Sequence, residues 1–281
     1  MNSMENYRCK ICGTPGRFWA RGKGFNVLRC PGCGLLWVDR VNTKPGDYWA
    51  EEIYLEVEKE LEARFRKILS RVLRITGRPG RALEVGSSIG TFLKVAGEMG
   101  FEAEGCDISP GAVEFSRKRD LKVRLGTLDS SYREGEFDYV FAFNLVEHLP
   151  EPSIFFRHAT RVLKKGGFLV IETPIQDSLF HLSSRFFYVL SRGRLKFLGL
   201  SPDDHLLRFS RKTFRKIEEV FGLRLLRLWQ MPSPWSEIWG KSRVVKMEKR
   251  LLYRAALPPL WFLSWVSGLG NRALAVFQKP M

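Results

Sequence analysis

The stretch RALEVGSSIG at residues 81–90 decides the fold. Its first five residues form a short, mostly apolar run, as expected of a buried strand in a parallel sheet. Glycines and serines follow the run. Small residues at such a turn let the backbone pass close to a ligand, and the next helix points its first amide groups at that ligand. We therefore expect a strand at 81–85 and a binding site at the turn that follows it.

Downstream of this turn, short apolar runs alternate with amphipathic segments. The predicted strands are 81–85, 102–106, 122–125, 138–143, 167–172, 223–229 and 273–278, and the predicted helices are 90–99, 110–119, 152–163 and 211–221. Such alternation favours an α/β fold: a Rossmann-like, seven-stranded, mostly parallel sheet with helices on both faces. Ligands in that fold bind at the carboxyl ends of the strands.

The N-terminal segment carries two C-x-x-C pairs, Cys9 with Cys12 and Cys30 with Cys33. Two residues between cysteines let both thiolates turn toward one point, and two such pairs complete a tetrahedral site for Zn²⁺. Four thiolates leave no open coordination position, so we expect the metal to be structural. Residues 1–40 are therefore predicted to be a small zinc ribbon with short strands.

The remaining chain divides into two further parts. Residues 41–79 are predicted to hold a linker and one long amphipathic helix from Ala50 to Ile75, because apolar residues recur there every three or four positions. Residues 80–281 are predicted to be the main α/β domain. Its strand and helix alternation is interrupted at about 175–208 and 236–270, and we expect these two insertions to act as lids over the site.

The formal net charge is +16, and it is unevenly distributed: residues 81–175 carry −2 and residues 176–281 carry +12. A basic excess on one part of a chain favours an anionic partner such as phosphate, nucleic acid or acidic lipid, although a solvated basic surface has the same composition.

Five cysteines, four of them in the two pairs, do not form a secreted disulfide framework. We expect a cytoplasmic protein, one that touches a membrane from outside at most, because no apolar leader or spanning run is visible.

Asp107 follows the glycine turn by about twenty residues, at the end of the second predicted strand. A carboxylate there can accept hydrogen bonds from both hydroxyls of a ribose. The turn and this carboxylate together would also suit a nicotinamide or flavin cofactor. Those cofactors prefer G-x-G-x-x-G, however, whereas this turn has an acidic residue, Glu84, two positions before its first glycine.

With these residues the sequence resembles the class I S-adenosylmethionine-dependent methyltransferases, in particular their small-molecule and lipid branch. The first family motif, acidic-x-G-x-G-x-G, matches Glu84, Gly86 and Gly90, with Ser88 in place of the middle glycine, and Asp107 matches the ribose carboxylate. Further matches lie at 137–149, 163–169 and 205–210. The resemblance covers roughly residues 80–230 and implies S-adenosylmethionine as cofactor.

The resemblance also implies a role for individual residues. Gly86, Ser87 and Gly90 would lie under the methionine part of the cofactor, Glu84 would orient the turn, Asp107 would hold the ribose, Ile108, Leu128 and Asp129 would flank the adenine, and Asn144 and Leu145 would lie beneath the sulfonium. Asp107 as a helix cap and Asn144 as a strand terminator are the alternative interpretations.

A hydroxyl or carbon-acid acceptor also needs a base that takes its proton. The candidate catalytic residues are His148, in the loop after Asn144 and Leu145, and His205, which precedes the late helix. A histidine that only holds the loop through hydrogen bonds is the alternative for His148.

The acceptor that we expect is a small molecule, a lipid or a lipid-linked glycan. Residues 241–265 combine a basic amphipathic stretch with a Trp-rich apolar patch, which is typical of peripheral membrane contact, although a lid helix or dimer contact has the same pattern.

One alternative is an RNA methyltransferase that holds nucleic acid with the ribbon and the basic C-terminal third. It is disfavoured because the sequence after the fourth strand, Asn144-Leu145-Val146-Glu147, lacks the Asn/Asp-Pro-Pro-aromatic signature of base-amino methyltransferases. A zinc-organised binding protein without turnover is the other alternative.

Overall fold

A computed structural model describes residues 7–42, 55–192, 200–233 and 258–281. Its main sheet has seven strands in the order β10-β11-β8-β7-β4-β5-β6. These are β4 (Arg81–Val85), β5 (Glu102–Asp107), β6 (Val123–Leu125), β7 (Phe137–Phe143), β8 (Leu163–Pro174), β10 (Arg224–Met231) and β11 (Arg272–Gln278). Five strands run parallel, while β11 lies antiparallel between β8 and β10. The predicted mostly parallel, seven-stranded sheet is confirmed.

Helices cover both faces of this sheet. They are α1 (Glu58–Thr76), α2 (Thr91–Glu98), α3 (Pro110–Lys118), α4 (Pro152–Val162), α5 (Leu179–Leu190) and α6 (Arg211–Phe221), and residues 258–266 are also helical. Side chains of α1 and α2 pack with Phe141 and Phe143 on one face, and those of α4 and α6 pack on the other. Each face of the sheet is apolar, and burying both faces between helices makes the sheet the core of the domain.

A second, smaller sheet is formed by β1 (Arg17–Arg21), β2 (Asn26–Arg29), β3 (Leu36–Val38) and β9 (Leu207–Arg208). The first three strands belong to the cysteine-bearing segment, and all neighbours are antiparallel. The fourth strand comes from the main domain, since Leu36 pairs with Arg208 and Trp37 with Leu207. The N-terminal segment therefore shares a sheet with the rest of the chain.

The start of α6 fastens the second cysteine pair to the main domain. The hydroxyls of Ser210 and Thr213 both donate to the carbonyl oxygen of Cys33, each at 3.0 Å. The side-chain amide of Gln176 donates to the carbonyl of Gly34, and the side chain of Trp37 is fully buried. These contacts join the N-terminal segment and the α4–α6 face into one hydrophobic core.

Two predicted segments lie only partly within the described residues. The stretch 175–208, expected to act as a lid, contains helix α5 and strand β9, and its role as a lid stays a prediction. The predicted helix from Ala50 to Ile75 corresponds to α1, and its first residues lie outside the described part, as do 193–199 and the basic stretch 241–254. Among the described helices, none combines the length and apolar character needed to cross a bilayer.

Candidate active site

The turn between β4 and α2 has a backbone shape that few residues adopt. Gly86 and Gly90 have φ angles of 78° and 77°, and Ser88, at φ 47°, also lies in the left-handed region. A serine in that region is strained, but the Ser88 amide donates to Asp107 Oδ2 at 2.8 Å, and its carbonyl accepts the Ser116 hydroxyl at 2.9 Å. The hydrogen bonds hold the turn in place without the middle glycine of the motif.

The carboxylate of Asp107 lies directly beside this turn. One oxygen accepts the Ser88 amide, and the other accepts the Ser109 amide at 2.9 Å. A carboxylate has about four acceptor positions, so each oxygen can take one further hydrogen bond. Two hydroxyls of a ribose would fit those positions, and the backbone amides already orient both oxygens.

Two polar atoms near the turn are buried and lack a hydrogen-bond partner in the described residues: Glu84 Oε2 and Ser87 Oγ. Burial, and then repulsion from Asp107, raise the pKa of Glu84 well above its usual value. Unpaired buried polar groups are costly and are typical of sites that a ligand completes. The donor set fits a ligand with an ammonium and hydroxyl groups, such as S-adenosylmethionine.

The other predicted cofactor residues lie at the ends of neighbouring strands. Ile108 follows β5 and is 44% exposed, Leu128 is buried, and Asp129 is exposed with its Oδ1 accepting the Ser131 amide. Hydrogen bonds from the hydroxyl and then the amide of Ser131 lower the pKa of Asp129. Parallel strands bring these ends to one edge of the sheet, so all three lie on the same edge as the glycine turn.

Asn144 and Leu145 follow β7 at the same edge. Asn144 has a φ of 48°, and its amide donates to the carbonyl of Glu172 at 2.8 Å. Leu145 lies against the glycine turn, because a Cβ added to Gly86 would come within 3.2 Å of Leu145 Cδ1. A ligand on the turn would therefore contact Leu145. A surface groove of about 450 Å³ lies elsewhere, beside α3 and Leu125.

The two candidate catalytic histidines lie together. The rings of His148 and His205 meet edge to face, with their centroids 4.8 Å apart. His148 Nδ1 lies 3.1 Å from the carbonyl and 3.2 Å from the carboxylate of Asp204. Burial lowers the pKa of His148, but the hydrogen bond and charge of Asp204 and the charge of Glu147 outweigh it, so the pKa is raised.

Glu147 lies beneath this histidine pair and is completely buried. Its Oε2 accepts the Thr173 hydroxyl at 2.8 Å, while Oε1 lies 4.0 Å from His148 Nε2 and is without a hydrogen-bond partner in the described residues. Burial raises the pKa of Glu147. One ligand atom from each of Glu147, His148 and His205 lies within 4.8 Å of the others.

A buried ion-pair network adjoins Asn144. Glu172, at the end of β8, pairs with Arg64 of α1 and with Arg272 of β11, the latter at 3.0 Å. Arg272 also lies 3.5 Å from the Asn144 oxygen. Burial alone would raise the pKa of Glu172, but the two guanidinium charges outweigh it and lower the pKa. The network ties α1 and the last strand to the site.

The four cysteines predicted as metal ligands converge at one point. Cys9 and Cys33 have their sulfur atoms 3.5 Å apart, as have Cys12 and Cys30, and all four sulfurs lie within 4.8 Å. A tetrahedral zinc with bonds of about 2.3 Å separates its sulfurs by about 3.8 Å, so the spacing fits. The hydrogen bond from Cys33 lowers the pKa of Cys9 to about 5, while burial raises that of Cys30. A divalent cation would let all four ionise together.

Cys106 does not join this cluster. Its thiol is buried in the main domain, and burial raises its pKa to about 11. All five cysteines are free thiols, none of them in a disulfide. Cys106 is therefore a buried thiol of low reactivity.

Comparison with known proteins agrees with this geometry. A family model described as a methyltransferase domain matches residues 57–228, which is more than half of the chain. The chain belongs to the methyltransferase domain family. The match begins just before α1 and ends in β10, so it includes the glycine turn, Asp107 and both histidines. Methyltransferases of this family use S-adenosylmethionine as methyl donor.

Several curated relatives are methyltransferases. Protein MJ1123 of Methanocaldococcus jannaschii, whose function is uncharacterised, is 31% identical over 134 residues, 47% of this chain and 58% of that protein. Ubiquinone biosynthesis O-methyltransferase of Xanthomonas oryzae pv. oryzae is 25% identical over 156 residues, 51% of this chain and 65% of that enzyme. The chain thus spans about three fifths of the length of these relatives. The 2-methyl-6-phytyl-1,4-hydroquinone methyltransferase of Synechocystis is 31% identical over 96 residues, 32% of this chain and 30% of that enzyme.

Solved structures share the fold. Protein BH2331 of Bacillus halodurans has a TM-score of 0.55 at 18% identity, covering 76% of this chain and 99% of its own. The YcgJ protein of Bacillus subtilis has a TM-score of 0.52 at 15% identity, covering 76% and 98%. At this identity the likeness concerns the fold alone.

Three groups at the site were missed in the sequence. Glu147 directly precedes His148 in the loop after a strand, and this position is a local signal for a residue of the site. Asp204 directly precedes His205 and could have been noted in the same way. The Arg64, Glu172 and Arg272 network had no such signal, because its members come from three distant segments.

Proposed function

We propose that this protein is an S-adenosylmethionine-dependent methyltransferase that acts on a small-molecule or lipid-type acceptor. The observation that carries the proposal is the strained glycine turn hydrogen-bonded to Asp107. Beside it lie Glu84 Oε2 and Ser87 Oγ, which have no hydrogen-bond partner among the described residues. The cofactor, when bound, supplies an electrophilic methyl group whose bond to sulfur breaks with the electron pair left on sulfur.

The chain's own residues would perform three tasks. Gly86, Ser87 and Gly90 hold the methionine portion, and Asp107 holds the ribose. Leu145 and Asn144 shape the floor below the reacting centre, where alignment of donor and acceptor supplies much of the rate. His148, three residues after Leu145, and His205, whose ring meets that of His148, are proposed to remove the acceptor's proton.

Zn²⁺ is proposed at Cys9, Cys12, Cys30 and Cys33 as a structural ion. Four sulfurs at tetrahedral spacing support it, and the amide of Cys33 donates to the Cys30 sulfur at 3.3 Å, as in a metal knuckle. Because β3 pairs with β9, the ion would stabilise the strand that leads from His205 into α6. The metal thus supports one wall of the proposed site.

The acceptor is proposed to carry a lipid tail. Two helices present apolar side chains to solvent: Phe186, at 63% exposed, on α5, and Trp265, at 61%, on the helix at 258–266. The start of α5 lies beside the segment that follows the second helix, because the amide of Leu179 donates to the carbonyl of Leu269 at 3.1 Å. Exposed aromatics on a chain of net charge +16 favour peripheral contact with an acidic membrane.

The names of two relatives support this acceptor class. The Synechocystis relative is named for a phytyl-bearing hydroquinone, and the Xanthomonas relative for ubiquinone biosynthesis. A hydroxylated ring with an apolar chain would place its polar end at the histidine loop and its tail along the exposed helices. We propose a hydroxyl-bearing acceptor of this kind.

The experiment is incubation of the full chain with radiolabelled S-adenosylmethionine and a cell extract, followed by separation of lipid, aqueous and RNA fractions. Protein-dependent label in the lipid fraction is expected. Label in RNA would replace this proposal with the nucleic-acid alternative, and absence of label in every fraction would favour the non-catalytic binding protein.

Flotation with phosphatidylglycerol vesicles tests the membrane contact separately. The double variant Phe186→Ser and Trp265→Ser is expected to bind at least about tenfold more weakly, because each buried aromatic contributes about 1.5–3 kcal/mol. Ile154→Ser, an exposed apolar residue on α4 (47% exposed), is the matched control and should float like the wild type. Equal flotation of all three proteins would remove the membrane from the proposal.

A further inference from the structure

We infer that Glu147, His148 and His205 form a second metal site, distinct from the four cysteines, that binds a divalent cation through two nitrogens and one oxygen. The inference rests on the proposed function, since it assigns the ion a role in holding the acceptor. The three side chains are brought together from the loop after β7 and the segment before β9, fifty-seven positions apart in the chain for the two histidines.

The buried carboxylate is the first argument. Glu147 is fully buried beneath two imidazoles, and its Oε1 has no hydrogen-bond partner among the described residues. Its Oε2 is held by Thr173, which fixes the direction of Oε1. A carboxylate oxygen fixed and left unsatisfied in the interior needs a cation or a proton. The charges of Arg208 and of His148 already act on Glu147, and Oε1 still lacks a hydrogen-bond partner among the described residues, so a metal ion held jointly with the imidazoles would complete it.

The orientation of His148 is the second argument. Its Nδ1 faces Asp204, through both the carbonyl and the carboxylate oxygen, while its Nε2 faces Glu147 Oε1 at 4.0 Å. Metal-binding histidines commonly donate the other ring N–H to a carboxylate or carbonyl, which fixes the ring and its tautomer. Asp204 has that position here.

The type of the three ligands and the distances between them also fit a metal site. Two imidazoles and one carboxylate form the ligand set of catalytic zinc sites and of non-haem metal sites with open positions. The three ligand atoms lie within 4.8 Å of one another. Ligands at about 2.1 Å from an ion lie about 3.0–3.4 Å apart, so the most widely separated ligand atoms need to close by up to about 1.4–1.8 Å. Rotation of the partly exposed histidine rings can supply that movement.

The position of the three side chains close to the glycine turn indicates what the ion would do. The His148 amide donates to the carbonyl of Leu145 at 3.0 Å, and Leu145 contacts the Gly86 turn. The ion would therefore lie one turn of chain from the residues proposed beneath the methyl donor. An acceptor hydroxyl bound to the ion loses its proton to solvent more easily, and its oxygen then forms the bond to the methyl carbon as the sulfur–carbon bond breaks.

Mn²⁺ is the probe for the test, because it prefers oxygen and nitrogen ligands over the thiolates of the cysteine cluster. Full-length protein carrying zinc is dialysed and titrated with Mn²⁺, and the free ion is measured by electron paramagnetic resonance. One Mn²⁺ per chain is expected for the wild type. Glu147→Gln and His205→Gln should each weaken binding at least about tenfold, and Asp204→Asn by about tenfold to a hundredfold.

His158→Gln, which changes a histidine on α4 outside the cluster, is the matched control and should bind Mn²⁺ like the wild type. His205→Gln alters a partly exposed side chain, so it tests the site even if Glu147→Gln does not fold. Absence of saturable Mn²⁺ binding to the wild type, or equal binding by the wild type and the His205 variant, would overturn the inference.

S-adenosylmethionine binding, measured by calorimetry on the same samples, separates the two proposals. Cofactor binding without Mn²⁺ binding would overturn the metal site and leave the methyltransferase proposal intact. Mn²⁺ binding without cofactor binding would do the reverse.

Discussion

The contact between the cysteine segment and helix α6 predicts a specific cost for the substitution Ser210→Ala. The Ser210 hydroxyl accepts the Thr213 amide at 3.1 Å as the N-cap of α6, and donates to the Cys33 carbonyl at 3.0 Å. It is the first residue of a capping box, and the side chain is buried. One hydroxyl thus serves both the helix and the neighbouring ribbon.

The magnitude follows from these two hydrogen bonds. Loss of a serine N-cap costs about 1 kcal/mol. Loss of the hydrogen bond to Cys33 costs about 1 kcal/mol more, because Thr213 continues to satisfy that carbonyl. We expect Ser210→Ala to lower the free energy of unfolding by about 2 kcal/mol, or the melting temperature by about 4–8 °C.

The assay is thermal and urea unfolding followed by circular dichroism, with Ser178→Ala as the matched control. Ser178 is a buried N-cap of α5 whose hydroxyl accepts the His181 amide, and no hydrogen bond from it to the cysteine segment is found in the described residues. The control should lose only about 1 kcal/mol. Equal losses in the two variants would refute the idea that Ser210 fastens the ribbon to the main domain.

Two further predictions concern the cysteine cluster and the buried ion pair. Wild-type protein should retain about one zinc per chain after dialysis, measured by atomic emission. Cys30→Ser should lower both the zinc content and the melting temperature. A wild-type protein whose N-terminal segment is folded but holds no zinc would contradict this prediction. Because the folded pKa of Glu172 is lowered, its ion pairs stabilise the protein above the unfolded pKa of about 4.3, and that stabilisation is lost as the pH falls through the folded pKa. Glu172→Gln should therefore cost about 3 kcal/mol in urea unfolding at pH 7 and progressively less at acid pH, whereas a loss independent of pH would contradict the ion-pair account.

Much of the central sheet could be predicted because its strands have strong local signals. The strand at 81–85 and the helix at 211–221 match β4 and α6 in both bounds, and the other predicted strands overlap their observed counterparts. A short apolar run bounded by glycine or charged residues is enough to predict such a strand from its own sequence. The antiparallel position of β11 between β8 and β10, in contrast, depends on pairing between distant segments.

The elements that were missed are those fixed by tertiary contacts. β9 has two residues and exists because Leu207 pairs with Trp37 across 170 positions of sequence. The same limit applies to the site: the glycine turn and Asp107 form a local pattern, whereas Arg64, Glu172 and Arg272 come from distant segments and meet only in the folded chain. Periodicity and spacing carry no information on such contacts.

Calorimetric titration of the purified chain with S-adenosylmethionine tests the central claim most directly. The wild type is expected to bind one molecule per chain. Asp107→Ala is expected to bind at least about a hundredfold more weakly, because two hydrogen bonds to a charged carboxylate are lost, each contributing about 1.5–3 kcal/mol. Asp120→Asn, at a surface aspartate just beyond α3, should bind like the wild type. Failure of the wild type to bind the cofactor, or unchanged affinity in Asp107→Ala, would contradict the account.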